Sequence, residues 1–535
     1  MTKAEIVVQM PTKFVVEQYF MMNNTLFFNA IRNLVFCMFF LLISCSKGMV
    51  ESTTVVPSLH TYYVSLSGSD ANTGTVNNPL RGIKTALGKA IPGDTVIVRA
   101  GNYYEKVSFP KSGRLDKNIT LKAYPGEKAV IDGTGLSIIG KEALVTISNV
   151  NYIVVEGFDV CNYKSSTPWV NINGILVNEG SGNITIRKNK VYNIEHNVLP
   201  SDGRSGHGIE IIGNTNIAMK NILVEENEIH DCNTGYSENL TINGYVDGFI
   251  IRKNKIYNTE NIGIDAAGGY WANSTPAFNY ARNGIISDNE LYNIDMSTGP
   301  LGGHGAIGIY IDGARNIIIE RNKVHEADRG IGIVSENDAY PTEDCIVRNN
   351  FVYNCVRTGI YLGGYLNYTT GGTSNCYVVN NTLYYNDKEP GSFGETEGEI
   401  RLTENCFNNT IQNNIIYARP NNDVFIHKYT STGNNNKIDY NLYYTTGTAK
   451  WIWNGTEYTD YNAWQTACSG DAGSSNNIDP FLTNTTSPDL HIQAVSPAKN
   501  SGIVISTQIN GSTDIDGTAR IINNKISKGA HAPNP

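Results

Sequence analysis

One phrase recurs from residue 183 to 418 and constrains this chain more than anything else in it. Two or three alternating apolar residues are followed by a polar pair, an Asn, any residue, an aliphatic and then Tyr or His. The instances are ITIRKNKVY, LVEENEIH, FIIRKNKIY, IISDNELY, IIIERNKVH, IVRNNFVY, YVVNNTLY and IQNNIIY. Their Asn residues are 189, 227, 254, 289, 322, 350, 381 and 414, with steps of 38, 27, 35, 33, 28, 31 and 33. A drifting period of this size marks solenoid coils whose loops vary in length while the strands stay in register. Propeller blades need about 40 to 45 residues, so the short steps exclude them.

Each unit offers only short β-branched strands that cannot bury a face alone, so the units must stack and pair in parallel. The expected fold is all-β: a right-handed parallel β-helix in which the recurring Asn forms a stacked amide ladder. Cys345, Cys376 and Cys406, 31 and 30 residues apart, are expected to form a second column. With 52 Gly and only 5 Trp among 535 residues, the composition suits tight turns between short strands and disfavours long helices. A formal charge of -9 argues against nucleic acid as a partner. Seven Cys follow Cys45 at no framework spacing and with no CxxC pair, so neither a disulfide scaffold nor a zinc site is expected.

Composition and hydropathy also set the boundaries. Residues 1–45 read as a targeting segment: Arg32 precedes an apolar run from Leu34 to Ile43, too short to span a bilayer, and Leu42-Ile43-Ser44-Cys45 resembles a bacterial lipobox. Cys45 is the expected lipidation site, and an ordinary signal peptide is the alternative. Either sends the protein out of the cytoplasm; the lipobox reading leaves it lipid-anchored to the cell envelope, facing the periplasm or the cell surface, with the membrane touched only through that lipid. A linker over 46–57 precedes the β-helix over 58–445. The stretch GIKTALGKAIPGD is expected to be a short helix covering the first coil. Residues 446–535 are expected to supply C-terminal coils and a capping segment.

A second column begins mostly with Gly: GIEII, NLTIN, GIDAA, GIYID, GIVSE and GIYLG. Alternation along a strand turns its second and fourth positions inward and the others outward. The outward set is then Glu210, Asp265, Tyr310, Asp312, Glu336 and Tyr361. In this alignment Asp312 and Glu336 hold one strand position on consecutive coils, roughly 4.8 Å apart, close to the about 5 to 5.5 Å between the carboxyls of retaining glycosidases. Like charges that close keep one carboxyl protonated for acid duty. The 45-residue step from Gly263 to Gly308, against 24 on either side, puts long loops beside this face. They carry Tyr270, Trp271, Tyr280, Arg282 and His304. Trp271, Arg282, His304, Tyr310, Tyr361, Arg401, Glu210 and Asp265 are the expected substrate-binding residues, Asp312 and Glu336 the expected catalytic pair, and no bound metal is expected.

Residues 238–402 carry a specific resemblance. The runs NLTINGYVDGF, NIGIDAAGG, ARNGIISDN, GIYIDGARNIIIERNKVHEADRGIGIVSEN, GIYLGGY and GEIRL resemble right-handed β-helix proteins related to glycoside hydrolase family 120, whose known members are β-xylosidases. The resemblance implies a retaining glycoside hydrolase acting on oligo- or polysaccharide, with Asp312 as nucleophile and Glu336 as acid/base. GIDAAGGYW departs from the family pattern in lacking an acidic residue after its glycines, which leaves the sugar open. Two alternatives stand beside it: a Ca²⁺-dependent polysaccharide lyase using the same carboxylates, with Arg282, Arg329 or Arg401 as base, and a noncatalytic glycan-binding lipoprotein. The hydrolase needs no cofactor.

Overall fold

In a computed structural model that describes residues 59–366, 368–389, 396–420 and 424–533, the chain winds as a right-handed parallel β-helix with three long parallel faces, one of 16 strands and two of 13. The lipobox with Cys45 and the linker lie outside the described residues. Inside the coil, equivalent strand positions stack as columns of aliphatic side chains. One column runs Ile209, Leu240, Ile264, Ile309, Ile331, Ile360, Ile400 and Ile426, every member fully buried. Each such side chain contributes about 1.5–3 kcal/mol of burial.

The amide ladder forms as expected. From Asn189 to Asn414 each side-chain amide donates to the carboxamide oxygen of the next Asn at 2.9–3.1 Å. The same Nδ2 reaches a strand carbonyl, such as Ile251 O from Asn289, and each acceptor oxygen also takes the main-chain N–H of the preceding Asn, as Asn254 N to Asn289 Oδ1 at 2.9 Å. The ladder continues one coil further, to Asn441. The residue before each ladder Asn lies in the left-handed region, from Lys188 at φ +55° to Asn413 at +59°. That conformation is unfavourable for a residue with a Cβ, and the saturated amides beyond it hold the corner.

The Cys column is only partly as expected. Cys345 N–H reaches Cys376 Sγ at 3.3 Å, but the next position belongs to Asn409, whose Oδ1 accepts from Cys376 N at 2.9 Å. Cys406 instead pairs with Thr373. A spacing near the coil length misleads here because the intervening turn differs by three residues.

Helix Ile83–Lys89 covers the first coil with Ile83, Ala86 and Leu87 buried. At the other end, the hairpin Trp451–Trp453 with Thr456–Tyr458 and the helix Tyr461–Cys468 bring Trp451 and Trp464 together, both fully buried. The remaining tail runs back along the outside of the solenoid: Asn349 Nδ2 donates to Asn510 O and Asn380 Nδ2 to Ser527 O.

Ten consecutive strands of one face position the candidate site and its surroundings: β1 (Lys141–Ser148), β2 (Asn171–Asn178), β3 (Gly206–Gly213), β4 (Leu240–Gly244), β5 (Ile264–Ala267), β6 (Ile307–Asp312), β7 (Arg329–Val334), β8 (Ile360–Gly363), β9 (Ile400–Leu402) and β10 (Ile426–Lys428). The ladder that sets their register is open to test. Asn289→Ala should cost about 3 kcal/mol, because it orphans two buried donors of Asn254, whereas Asn434→Ala in an exposed loop should cost under about 0.5 kcal/mol. Urea unfolding of the two variants measures the difference.

Candidate functional site

Along this face, register fixes an outward column: Glu210 on β3, Thr241 on β4, Asp265 on β5, Tyr310 on β6, Gly332 on β7, Tyr361 on β8 and Arg401 on β9. The column points away from the solenoid core yet is not exposed. Loops cover it, and Glu210, Asp265, Tyr310, Asp312 and Tyr361 are all buried.

The register also corrects the alignment of Glu336. Tyr310 pairs with Gly332 and Asp312 with Val334, so GIGIV, not GIVSE, is the strand that continues the column. Glu336 lies two residues past Val334, beyond the end of β7. The chain turns it back. Gly313 (φ +78°) ends β6, its N–H held by Val334 O and Thr342 Oγ1, and the main-chain N–H of Glu336 donates to Asp312 Oδ1 at 2.8 Å. The two carboxylates therefore share a site, but not by the shared-rung stacking that the sequence suggested.

Asp312 Oδ2 accepts the Tyr270 hydroxyl, and Glu336 Oε1 accepts the Tyr310 hydroxyl at 2.8 Å. Tyr270 and Trp271 are consecutive left-handed residues at φ +53° and +54°. Two such residues with side chains cost on the order of 1–3 kcal/mol each. Asn273 braces their loop from both sides: its Nδ2 donates to Gly213 O at 2.9 Å, and Asn279 Oδ1 accepts its main-chain N–H. Beneath, the missing Cβ of Gly332 makes room for two rings, since that atom would stand 2.6 Å from Tyr361 and 2.8 Å from Tyr310.

Together these residues enclose a cavity of about 400 Å³ lined by five carboxylates, Glu210, Glu238, Asp265, Asp312 and Glu336, with Lys141 and His207 at one end. Lys141, from two strands away, pairs with Glu210, and His207 Nδ1 lies 2.9 Å from Thr241 Oγ1. Glu210 Oε2 and Asp265 Oδ1 are buried without a hydrogen-bond partner. A second cavity, about 620 Å³, shares Tyr270 and Glu336 with the first and is bordered by Trp271, which is 94% exposed.

Crowded like charges in a desolvated cavity bind protons more tightly. Burial, then the charge of Glu336, pushes Asp312 up to about 7, against the pull of the Tyr270 hydroxyl and the Glu336 amide. Asp265 is held well above the carboxylate range by burial and by Glu238, Asp312 and Glu336, and burial raises Glu238 as well. The cavity thus retains protons near neutrality while keeping acceptors available, which is what acid–base chemistry on one substrate requires.

Other expected residues fall elsewhere. Arg282 lies on a strand of the 16-stranded face, 3.6 Å over the Tyr280 ring and bonded to Ala277 O, where it pins the loop rather than lining the cavity. His304 turns to Asp328 at 2.9 Å, also outside the cavity. Tyr361 and Arg401 face a neighbouring cavity. Lys141, His207 and Glu238 escape sequence reading because they sit off the column, on a distant rung, at the start of β3 and in the turn before β4. Tyr270 was visible as a loop aromatic but not as the partner of Asp312.

For metal ions, the cavity offers hard oxygen donors suited to Ca²⁺. Among the described residues, however, the groups whose ligand atoms converge within 4.8 Å are Asp295, His304 and Asp328, and Asp514, Asp516 and His531, neither of which lines this cavity. As for stability, a carboxyl raised in the folded state favours folding at low pH and loses that contribution as pH climbs from its unfolded value toward 7. Asp312→Asn should therefore raise Tm, by more at pH 8 than at pH 5; thermal melts at the two pH values read the difference.

Residues 62–274 match the family described as "Pel9A-like, right handed beta helix region". Pectate lyase PEL9 of Emericella nidulans is 40% identical over 76 residues, 14% of this chain and 18% of that protein. Among solved structures, the complex of XylC with xylose aligns at 14% identity with a TM-score of 0.49, over 89% of this chain and 98% of the other. The similarity that spans nearly the whole solenoid is to the uncharacterized protein YwoF of Bacillus subtilis (strain 168), 32% identical over 442 residues, and with 82% of this chain and 92% of that protein aligned, the chain belongs to the YwoF family.

Proposed function

We propose that the protein is a glycan-cleaving enzyme, and specifically a retaining glycoside hydrolase. The observation that carries this reading is the pairing of Asp312 with Glu336: one main-chain N–H bonded to the other's carboxylate, both side chains opening on one 400 Å³ cavity. The resemblance to glycoside hydrolase family 120 falls on the same two residues. An exported, envelope-attached location, read from the segment ending at Cys45, suits an enzyme acting on external glycans.

In this scheme Asp312 is the nucleophile. Two donors, the Tyr270 hydroxyl and the Glu336 amide, stabilise its ionised form and fix its direction. Its free electron pair attacks the anomeric carbon while Glu336, positioned by Tyr310, gives its proton to the departing glycosidic oxygen. Glu336, now ionised, takes a proton from water as that water displaces Asp312, and the free carboxyl pair is restored. Glu210 Oε2 and Asp265 Oδ1, unpartnered and buried, are acceptors for sugar hydroxyls. Trp271 at the mouth offers a ring face on which a sugar stacks.

A second reading has its own observation. Lys141 stands among the carboxylates, where a lyase acting on an acidic sugar would place its base with Ca²⁺ held by the acids. The match of residues 62–274 to a Pel9A-like region favours it too. The hydrolase reading ranks first because Lys141 is already ion-paired to Glu210, and because Asp312 and Glu336 are held by hydroxyl and amide donors of the protein.

Asp312→Ala and Glu336→Ala should each reduce hydrolysis of unactivated glycosides by about 10²–10⁴-fold or more, and azide should restore turnover of an activated aryl glycoside by Glu336→Ala. Product released with inverted anomeric configuration, read by proton NMR, would contradict double displacement. The pair works with one proton shared between its two carboxyls, so the loss of that last proton, near pH 7 where the charge of Glu336 raises Asp312, should set the alkaline limb of kcat/KM. Tyr270→Phe should move it to higher pH, because the lost donor favours the ionised carboxylate. An ultraviolet-absorbing unsaturated uronide, abolished by chelator and by Lys141→Ala, would establish the lyase instead.

A further inference from the structure

Next to the acidic cavity on the same face lies one of opposite character. It encloses about 360 Å³ and is lined by Arg329, Arg357 and Arg401 with Glu397, and walled by Tyr361, Tyr365 and Tyr429. The three arginines come from successive coils: Arg329 opens β7, Arg357 precedes β8 and Arg401 lies on β9. All three converge on one carboxylate. Arg401 Nη1 lies 2.6 Å and Arg329 Nη2 3.2 Å from Glu397 Oε1, and Arg357 pairs with the same oxygen. Their combined charge holds Glu397 down to about 2. Repulsion from Arg329 and Arg401, added to burial, lowers Arg357.

Three guanidinium groups crowded onto one face are unfavourable to one another, and a buried ionic cluster is seldom the most stable filling for a core. Here the cluster opens on a cavity. Glu397 fixes the planes of the guanidinium groups, and Tyr361 and Tyr429 lie 5.1 Å and 4.9 Å beneath Arg329 and Arg401. Rigid, planar, multiply donating groups recognise carboxylates in two-point fashion. The adjoining aromatic rings suit a sugar ring. Position points the same way. Tyr310, in the acidic cavity, stacks on Tyr361, in the basic one, at 6.2 Å. From β6, which ends in Asp312, to β9, which carries Arg401, is three rungs, about 14 Å, the span of a few sugar units.

We propose that this cavity is a second glycan subsite that takes the carboxylate of a uronic acid in the chain cleaved at Asp312 and Glu336, so that the substrate is an acidic oligosaccharide. This rests on the glycan-cleaving reading above and names its substrate class. Binding and cleavage test the two separately.

The experiment uses the full chain carrying Glu336→Gln, so that ligands survive, and isothermal titration. Its probes are a glucuronate-branched xylotetraose and a tetragalacturonate, each beside its carboxyl-reduced form, with a sulfated xylotetraose as a third anion. At least one uronate probe should bind tenfold or more tighter than its reduced form, with the preference falling as salt is raised. Arg401→Gln on the same background should abolish that preference. Arg329→Gln provides a second variant should the first fail to fold, and thermal melts check both. Equal affinity for acidic and reduced probes, or no binding of either, overturns the subsite. Preference for the sulfate ester over both uronates overturns the carboxylate assignment. Acid preference in a protein whose unmutated form cleaves nothing would leave the subsite standing and remove the hydrolase; cleavage of neutral glycans without acid preference would do the reverse.

Discussion

Register between coils is the constraint on which everything else depends, and the asparagine ladder enforces it. Each ladder carboxamide from Asn227 to Asn414 gives two hydrogens and receives two, so a coil that slipped by one residue would strand several amide groups in an apolar interior. A buried polar group left unpaired costs about 1–3 kcal/mol, multiplied here over eight successive contacts from Asn189 to Asn441. Aliphatic columns alone would be more permissive, since Ile and Val stack acceptably in neighbouring registers of the same parity. The ladder converts a general tendency to stack into one alignment.

A solenoid held this way acts on its exterior as a ruler. Any outward residue has neighbours at one rung above and below, so chemistry accumulates along a column and in the turns that flank it. Between β3 and β6 the column and its flanking turns bring acids together, and between β7 and β9 they bring arginines. The concentration of one sign has an energetic consequence: Asp312 and Asp265 hold protons where isolated carboxyls would have lost them. This is strain of an electrostatic kind, and it is tolerated because the aliphatic columns beneath are long and uninterrupted.

Much of this was legible in the sequence because it is periodic. The ladder, the three-faced coil, the short helix over Ile83–Lys89 and the outward column through Glu210, Asp265, Tyr310 and Tyr361 all come from spacing and alternation. Glu336 shows how far such reading goes. The run Gly330-Ile331-Gly332-Ile333 offers two glycines two residues apart, and a shift of two leaves every side chain on its original face. The repeated glycine hides the choice, although GIVSE would turn Ser335 inward where the other coils carry Ile, Ala or Leu and GIGIV keeps Ile331 and Ile333 there. The pairing of Tyr310 with Gly332 confirms GIGIV. Arg282 and His304 were misplaced for a different reason: nearness in sequence to a long loop says little about which side of the loop a residue serves. Lys141, His207 and Glu238 carry no signal, because they reach the cavity from off-column positions that no period relates.

The turn after β7 does what the strand could not. A glutamate stacked directly beside Asp312 would have to run parallel to it, with both carboxyls on the same line and no donor between them. Placing Glu336 beyond the strand end lets its own amide face Asp312 Oδ1 while its side chain swings to Tyr310. One residue thereby supplies a hydrogen bond that favours the ionised form of its partner and a carboxyl whose charge opposes it. The two carboxyls are thus made unequal by geometry, Asp312 fixed by two donors at a buried strand end and Glu336 carried on a half-buried turn. Inequality of this kind is what two acids need to divide the roles of nucleophile and proton donor.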